Sequence, residues 1–344
     1  MGESIPYATT PACNYIPALL EIHTEPDGEY LHLGQKLPWQ GFERSLPFIR
    51  HLRQHISDHL DAPTHLLWSV RVDPQIAQTY GRAEWALEYY NEQLSDLRQV
   101  GDEIGLHVHP YRWEASQGLW LEDYANSDWV DECIQVAVAA YQQGYGCLPK
   151  TISVGRNWIS QSTVNLVESL GLEFDLSVIP GRPSVRFYQS EKNITGIGPD
   201  YTDFPCVPYR PQVDNFRSAD PDRQQGLWII PLSSGLRFQA QGVLPRLYQY
   251  LRGTQRTRNY QRISKLYLAD RPDIFRQLVQ ILLEEKSLSY LTMIMRSHQF
   301  LNNKAQQNIL ANVKYLLNYE PMYARHQNFI FSTPSELVTL LGYT

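Results

Sequence analysis

The chain has 344 residues, of which 43% are hydrophobic and 19% charged, a composition that fits a globular protein and excludes a disordered one. The net charge of −6 and the isoelectric point near 5.9 disfavour nucleic acid or an anionic membrane as the main partner. No apolar run approaches the ~18 residues of a membrane span, and the first 15 residues lack a secretory-signal pattern, so we expect a cytoplasmic protein.

Eight apolar runs of strand length follow one another along the chain, and segments with helical periodicity lie between most of them. The runs are Ala18–His23, His65–Val72, Glu103–His109, Thr151–Gly155, Phe174–Val178, Leu227–Leu232, Tyr290–Met295 and Asn328–Phe331. Strands that alternate with helices pair in parallel through right-handed crossovers. About eight strands over this length favour a barrel over an open sheet. We therefore expect an α/β fold, a closed or nearly closed (β/α) barrel, as a single domain over residues 1–344.

One segment, Arg182–Gly226, interrupts the alternation. It is rich in proline, tyrosine, aspartate and arginine, as in the stretch Asp203-Phe-Pro-Cys-Val-Pro-Tyr209. Loops of this length inside a domain are usually either functional or disordered. The proline and aromatic content favours an ordered loop, so we expect a long ordered insertion or lid over residues 182–226.

Polar residues collect where the predicted strands end, which is where the active site of a parallel barrel forms. His107 and His109 are two residues apart on one strand, so their side chains point the same way, and the same parity joins His23 to Glu25. Two imidazoles and a carboxylate are the usual ligands of a catalytic zinc with an open position. The sequence therefore predicts a His/His/acid metal site. The four cysteines show no CxxC spacing, which disfavours zinc bound by thiolates.

Four segments, taken together, resemble the NodB-type polysaccharide deacetylase superfamily. They are Glu103-Ile-Gly-Leu-His-Val-His-Pro110, His23-Thr-Glu-Pro-Asp27, Gly155-Arg-Asn-Trp158 and Phe174-Asp-Leu-Ser-Val178. The closer resemblance is to a divergent branch with a His-x-His motif, associated with bacterial surface-polysaccharide clusters, and it covers nearly the whole chain. It implies a distorted (β/α)7 barrel of the glycoside hydrolase/deacetylase type. It also implies a divalent metal, usually zinc, held by an acid and two histidines.

Carried over by position, the resemblance makes Glu25 the metal-binding acid and His107 and His109 the histidine pair. Arg156 matches the arginine that orients the catalytic base, and Asp175 lies on the strand that follows that motif.

The first departure from the family is His23, which stands where the family has its catalytic-base aspartate. A neutral histidine with an ordinary pKa near 6.5 is able to serve as a base near pH 7. Alternatively, His23 turns onto the metal as a fourth ligand, which closes the site. In both cases Arg156 loses its usual carboxylate partner, and Asp27, Asp73 and Asp175 are the alternatives for that charge.

The second departure is the late motif, which here is Arg296-Ser-His298. In the family, a histidine in this motif supplies the general acid. Either His298 fills that role, or Arg296 has displaced it.

Three functions fit these residues. The first is a metal-dependent hydrolase that removes an acyl group from an N-acetylated sugar or a related amide. The second is a weakened or inactive relative that binds a glycan or a nucleotide-sugar through an aromatic cluster, namely Tyr111, Trp113, Trp120, Trp158 and Tyr209. The third is a metal-dependent glycosidase or another hydrolase on the same barrel. A glycosidase needs two facing carboxylates, here Asp73 with Asp175 or Asp27.

For the hydrolase, we expect a carbohydrate or an acylated small molecule as the substrate. The residues expected to bind it are polar or aromatic and lie at or just beyond strand ends. They are Asp27, Arg71, Asp73, Tyr111, Trp113, Trp158 and Arg296.

Overall fold

The computed structural model describes residues 15–28, 33–186, 193–237, 262–286, 288–320 and 328–343. The strands are β1 (Tyr15–Thr24), β2 (Leu67–Arg71), β3 (Glu103–Val108), β4 (Tyr111–Glu114), β5 (Leu119–Asp123), β6 (Thr151–Val154), β7 (Phe174–Asp175), β8 (Val185–Arg186), β9 (Ile194–Thr195), β10 (Ile197–Gly198), β11 (Pro211–Gln212), β12 (Asn215–Ala219), β13 (Trp228–Ile229), β14 (Ser234–Arg237), β15 (Arg262–Lys265), β16 (Leu291–Arg296) and β17 (Asn328–Phe331). The helices are α1 (Gln40–Leu60), α2 (Pro74–Tyr80), α3 (Trp85–Tyr89), α4 (Asn91–Gln99), α5 (Ser127–Tyr145), α6 (Gln161–Ser169), α7 (Pro272–Gln280), α8 (Asn303–Leu317) and α9 (Pro334–Leu340). Short helical turns span Gly155–Asn157, Ile281–Glu285 and Ser297–Leu301.

All eight predicted strands are present in one sheet. Its order is β13-β7-β6-β3-β2-β1-β16, and β17 pairs with the first half of β1. Every pairing in this sheet is parallel. The sheet curls into a half-barrel of seven strands, which confirms the α/β fold and the distorted seven-stranded barrel.

The segment around Leu266 lies between the residues that follow β13 and the strand β16, the two ends of this order. The Leu266 amide donates to the Ser233 carbonyl at 2.9 Å, and its carbonyl accepts from the Ile294 amide at 3.0 Å. The segment around Leu266 thus fills the gap that a closed barrel fills with strand pairing.

The core lies between this sheet and the helices outside it. In β1 every residue after Tyr15 is buried, as expected for a parallel strand that is covered on both faces. Helix α1 buries one stripe, which includes Phe42, Ile49, Leu52 and Ile56, and leaves the opposite face to solvent. None of the described helices combines the length and the apolar character that crossing a bilayer requires.

The register of the sheet aligns the carboxyl ends of its strands at one edge, called the catalytic edge below. Across neighbouring strands, His23 pairs with Arg296 and with Ser69, and His107 pairs with Arg71 and with Ser153. Because paired residues of parallel strands point to the same face, the polar strand ends converge there.

Two additional segments lie against the catalytic edge. The hairpin β4–β5 follows directly after His109, and β9 of the predicted insertion pairs in parallel with β5. Arg182, at the start of the insertion, donates to the carbonyls of Arg156 and Asn157 at 3.1 and 2.9 Å. Residues 187–192 of the insertion lie outside the described residues, and both its action as a lid and the single domain over 1–344 stay predictions.

Candidate active site

Glu25, His107 and His109 come together at the catalytic edge. Their nearest ligand atoms all lie within 4.8 Å of one another, and within the described part of the chain they form the group able to hold a metal ion. His107 Nε2 is 2.9 Å from His109 Nε2, which in turn is 3.8 Å from Glu25 Oε2. The side chains of Glu25 and His107 are both buried, so these ligand atoms are shielded from bulk solvent.

The second nitrogen of each histidine is already engaged. His107 Nδ1 is 2.9 Å from the Ser153 carbonyl oxygen, and His109 Nδ1 is 2.6 Å from Glu122 Oε1. Both partners are acceptors, so each Nδ1 carries the proton and each Nε2 presents a lone pair. Two such lone pairs 2.9 Å apart repel each other unless a proton or a metal ion lies between them. The donor set therefore fits a divalent metal, with the outer hydrogen bonds that metal-binding histidines usually have.

Glu122 is the buried carboxylate that orients His109. It lies on β5, and it also accepts hydrogen bonds from Tyr124 Oη at 2.8 Å and Arg156 Nε at 3.0 Å. Burial alone would raise the pKa of Glu122, but His109 and Arg156 bring it down to about 2. Sequence reasoning missed Glu122, because only the hairpin turn carries it back beside His109.

Arg156 thus pairs with Glu122, whereas Asp27, Asp73 and Asp175 were the alternatives considered from the sequence. Arg156 lies in the turn after β6, in the left-handed region at φ 55°. The preceding Gly155 leaves room for the His109 ring, because a Cβ there would lie 2.3 Å from His109 Nδ1. In this arrangement, Arg156 acts on His109 through Glu122.

His23 lies beside the ligand group with a carboxylate of its own. Its Nε2 is 3.1 Å from Glu21 Oε1, and its ring centroid is 4.1 Å from that of His107. Ser69 donates to the same Glu21 oxygen at 2.8 Å. Burial would raise the pKa of Glu21, but His23 and Ser69 lower it overall. Sequence reasoning missed Glu21, although the i, i+2 spacing of Glu21, His23 and Glu25 already placed all three on one face.

Arg71 and Asp73 form a buried ion pair behind the histidines. Arg71 Nε donates to Asp73 Oδ2 at 2.8 Å, and both side chains are buried. Asp73 Oδ1 caps α2 by accepting from the Ile76 amide at 3.0 Å, and Oδ2 accepts from the His109 amide at 3.3 Å. Both carboxylate oxygens of Asp73 are therefore used to position the backbone.

The late motif divides between two places. Arg296 is the register partner of His23 on β16 and faces the same side of the sheet. Burial would raise the pKa of Glu25, but the pKa is lowered overall, and Arg296 contributes more to this than His109 or Arg71. His298 instead lies near Asp27. Burial raises the pKa of Asp27 overall, and His298 offsets part of that rise. Ser297, between them, fixes the Glu25 backbone by accepting from its amide at 3.3 Å and donating to its carbonyl at 3.1 Å.

The remaining predicted carboxylates are held apart. Asp27 Oδ1 accepts from the Gly41 amide at 2.9 Å, at the start of α1. Asp175 is fully buried and accepts from the amide and the hydroxyl of Ser177 at 2.8 and 3.0 Å. Burial raises the pKa of Asp175 to about 7. Because each of these carboxylates serves a different segment, the structure gives no support to the carboxylate pair of a glycosidase.

The predicted aromatic residues also separate. Tyr111 stacks on His109 with ring centroids 5.6 Å apart, and the Arg71 guanidinium lies 5.2 Å from the Tyr111 centroid. Trp158 is buried near Tyr124, and its indole nitrogen donates to the Ile197 carbonyl at 3.2 Å. Trp113 packs edge-on against Trp120 in the β4–β5 hairpin. Of these rings, only Tyr111 contacts a proposed metal ligand in the part of the chain that the structure describes.

Comparison with known proteins gives matches at the level of structure. No family model matches the chain, and no curated protein sequence matches it. A solved structure assigned to the glycoside hydrolase/deacetylase class, from Parabacteroides distasonis, superposes with a TM-score of 0.54 at 12% identity, over 96% of this chain and 72% of the other. The chain shares the curled parallel half-barrel fold of this solved structure. A structure of Puue allantoinase superposes with a TM-score of 0.51 at 14% identity, over 100% of this chain and 97% of the other.

Those matches confirm, at the level of the fold, the resemblance to NodB-type deacetylases that the sequence predicted. Identities of 12% and 14% carry no information about substrate. The chemistry must therefore be argued from the residues at the catalytic edge of this chain.

Proposed function

We propose that the protein is a metal-dependent hydrolase that removes an acyl group from an N-acylated sugar or a closely related amide. The observation that carries this proposal is the convergence of His107 Nε2 and His109 Nε2, 2.9 Å apart, with a Glu25 carboxylate oxygen. A divalent ion bound there, for which zinc is our proposal, supplies Lewis acidity to the reacting water and to the amide carbonyl.

His23 is the proton acceptor in this proposal. Glu21 beside its Nε2 favours the tautomer that carries the proton on that nitrogen and leaves Nδ1 with a lone pair. Both ring nitrogens of His23 are buried without a hydrogen-bond partner among the described residues, and only Nε2 has a carboxylate beside it, 3.1 Å away. His23 also lies outside the three-residue ligand group. These observations support the role of a base over that of a fourth ligand.

Arg296 is the cation proposed to face the negative charge that develops on the amide oxygen. Arg296 is partly exposed at the end of β16 and acts electrostatically on Glu25. A preorganised cation at this position stabilises the tetrahedral transition state. His298, on the following turn near Asp27, is the proposed proton donor to the leaving amine.

Metal analysis tests the proposal at its first step. We expect about one zinc or similar ion per purified chain, and loss of that ion in both His107→Ala and Glu25→Ala. The matched control is His51→Ala, which removes an exposed histidine from α1 and should keep the metal. A wild-type protein that contains no metal and cannot be loaded with one would overturn the proposal.

Activity tests the role of His23 separately. With the metal retained, His23→Gln should lower kcat for acetate release from an acetylated amino sugar by about 10²–10⁴-fold, the usual contribution of a general base. Loss of the metal in this variant would instead identify His23 as a ligand.

A further inference from the structure

A second group of cations lies beside the proposed metal centre. Lys265 Nζ is 5.1 Å from the centroid of the Tyr267 ring, and Arg182 and Arg296 both act electrostatically on Lys265. Burial lowers the pKa of Lys265, Tyr267 opposes that effect, and the two arginines add to it. Burial would raise the pKa of Tyr267, but Lys265 and Arg296 lower it. The cation cluster, as the name is used below, consists of the three cations Lys265, Arg182 and Arg296 together with Tyr267.

No carboxylate among the described residues forms an ion pair with Lys265 or Arg182. Their hydrogen-bond partners are neutral oxygens. Lys265 Nζ donates to Asn157 Oδ1 at 2.6 Å, and Arg182 donates to backbone carbonyls. Both side chains are only partly exposed. A cation that loses part of its hydration without gaining a counter-charge is destabilised, so such groups usually pair with an acid. Arg71, whose partner is Asp73, shows the usual solution in the same molecule.

The cluster is held in place by one turn. Asn157 lies at φ 53° directly after Arg156, and its carbonyl accepts from Arg182 at 2.9 Å and from Tyr201 Oη at 2.8 Å. Its amide oxygen accepts from Lys265, while its buried Nδ2 has no hydrogen-bond partner in the described part of the chain. Asn157 is 3% exposed, and a buried side-chain donor such as its Nδ2 usually has an acceptor.

The cluster is also adjacent to the proposed reaction centre. The Leu268 amide donates to the Ile294 carbonyl at 3.0 Å, which places Tyr267 alongside β16 just before Arg296. Arg296 acts electrostatically on Glu25 on one side and on Lys265 on the other. Lys265, Tyr267 and Arg182 are each partly exposed, so a ligand is able to reach them.

We propose that Lys265, Tyr267 and Arg182 of the cation cluster bind an anionic group of the substrate, a carboxylate or a phosphate, while the acyl amide lies against Glu25, His107 and His109 with its oxygen toward Arg296. The inference rests on the proposed function and names its substrate class, an acidic N-acylated amino sugar. Charge-assisted bonds from Lys265 and Tyr267, reinforced by Arg182, supply the recognition. The net charge of −6 disfavours a polyanionic polymer, whereas a single anionic group fits one local cluster of cations.

Equilibrium binding of the deacylated products tests the proposal, because they lack the amide and cannot be turned over. Glucosamine, glucosaminuronic acid and glucosamine 6-phosphate are titrated into the full chain as purified, by calorimetry. We expect at least one of the two acidic sugars to bind about tenfold or more tightly than glucosamine, since hydrogen bonds to charged groups are strong. The tighter of the two identifies carboxylate or phosphate as the anion.

Substitution of Lys265 assigns that preference to the cluster. Lys265→Met should lower the affinity for the preferred acidic sugar by about 10–100-fold, and Lys265→Arg, which keeps the charge, should retain most of it. The matched control is Lys304→Met, which removes an exposed lysine from α8. Equal binding of all three sugars to the wild type would overturn the proposal. So would undiminished binding of the acidic sugar to a folded Lys265→Met variant.

Acetate release from the N-acetylated counterparts, measured on the metal-loaded wild type, separates the two proposals. Release without any preference for acidic ligands would overturn the anion site and leave the hydrolase intact. Selective binding of acidic sugars without release from any of them would support the anion site and overturn the hydrolase.

Discussion

The two ends of β3 lie beside carboxylates in opposite electrostatic surroundings. At the start of the strand, burial raises the pKa of Glu103 to about 7, because the Thr151 hydroxyl and the Lys150 ammonium offset only part of that cost. At the other end, Glu122 is more deeply buried, yet His109 and Arg156 bring its pKa down to about 2. Burial alone does not decide whether a carboxylate is ionised. At these two positions, the difference comes from the neighbouring groups, which are His109 and Arg156 at Glu122 and Thr151 and Lys150 at Glu103.

This contrast explains how the catalytic edge maintains its charge. Glu21, Glu25 and Glu122 are all buried, and each has a histidine beside it. Each carboxylate stays ionised because a histidine is held beside it. Each histidine in turn is oriented by the charge of its carboxylate. At the opposite edge Asp102 forms an ion pair with Arg53, but burial still raises its pKa. A cationic neighbour therefore offsets burial fully at Glu122 and only in part at Asp102.

Breaking the Glu122 interactions should have the largest effect. Glu122→Gln removes the negative charge beside His109 Nδ1 and Arg156 Nε and replaces one of the two acceptor oxygens with an amide donor. We expect metal affinity to fall by about 10–100-fold, as for other outer-shell partners of metal ligands. Competition with a chelator measures this. The control is Glu114→Gln on the neighbouring strand β4, and equal loss in both variants would contradict the role given to Glu122.

Filling the space beside His109 is the second test. In Gly155→Ala the new Cβ would meet the His109 ring at 2.3 Å, so the ring must move. We expect the free energy of unfolding to fall by about 1–3 kcal/mol, as in other overpacked sites, with weaker metal binding. Gly144→Ala in α5 has room for a Cβ and should be neutral or stabilising. An alanine at 155 that leaves both measurements unchanged would contradict the close packing.

The opposite edge gives a test by pH. The native state holds a proton on Glu103 up to about pH 7, whereas the unfolded chain releases it near the ordinary value of 4.5. Wild-type stability attributable to this group is therefore greatest at low pH and is lost as the pH rises through that interval. Glu103→Gln should become more stable relative to wild type by up to about 2 kcal/mol between pH 5 and pH 8. Urea denaturation at both pH values measures it, and a difference that does not grow with pH would contradict the assignment.

The smallest expected effect comes from Tyr124. Its hydroxyl donates to Glu122 Oε1, so Tyr124→Phe removes one of the three hydrogen bonds to that carboxylate. We expect a loss of about 1 kcal/mol in the free energy of unfolding and metal binding close to that of the wild type. A loss of metal as large as in Glu122→Gln would show that Tyr124, and not His109, is the important partner.

The sequence was most informative where its pattern is local. Apolar runs predicted all eight strands of the sheet, because a parallel strand buried on both faces is apolar throughout. The two-residue period predicted that His107 and His109 point together, and the structure places both beside Glu25. The same period applied to Glu21, so that residue was within reach of sequence reasoning.

Other site residues depend on contacts that no local pattern encodes. Glu122 reaches His109 only through the β4–β5 hairpin, and Ser153 contributes a backbone carbonyl, which any residue type has. Lys265 lies 108 positions from its partner Asn157 along the chain. Such pairings are set by tertiary packing, which is why the partner of Arg156 could not be chosen from the sequence.

The turn after β6 has a consequence for how the insertion and the strand ends depend on each other. Two consecutive left-handed residues send their side chains to different partners, Arg156 to Glu122 and Asn157 to Lys265. The insertion contacts both, because Arg182 donates to the carbonyls of Arg156 and Asn157 and β9 pairs with β5 at Glu122. A sequence change in the insertion would therefore be transmitted to His109 and to Lys265 together, so these parts of the molecule must change in concert.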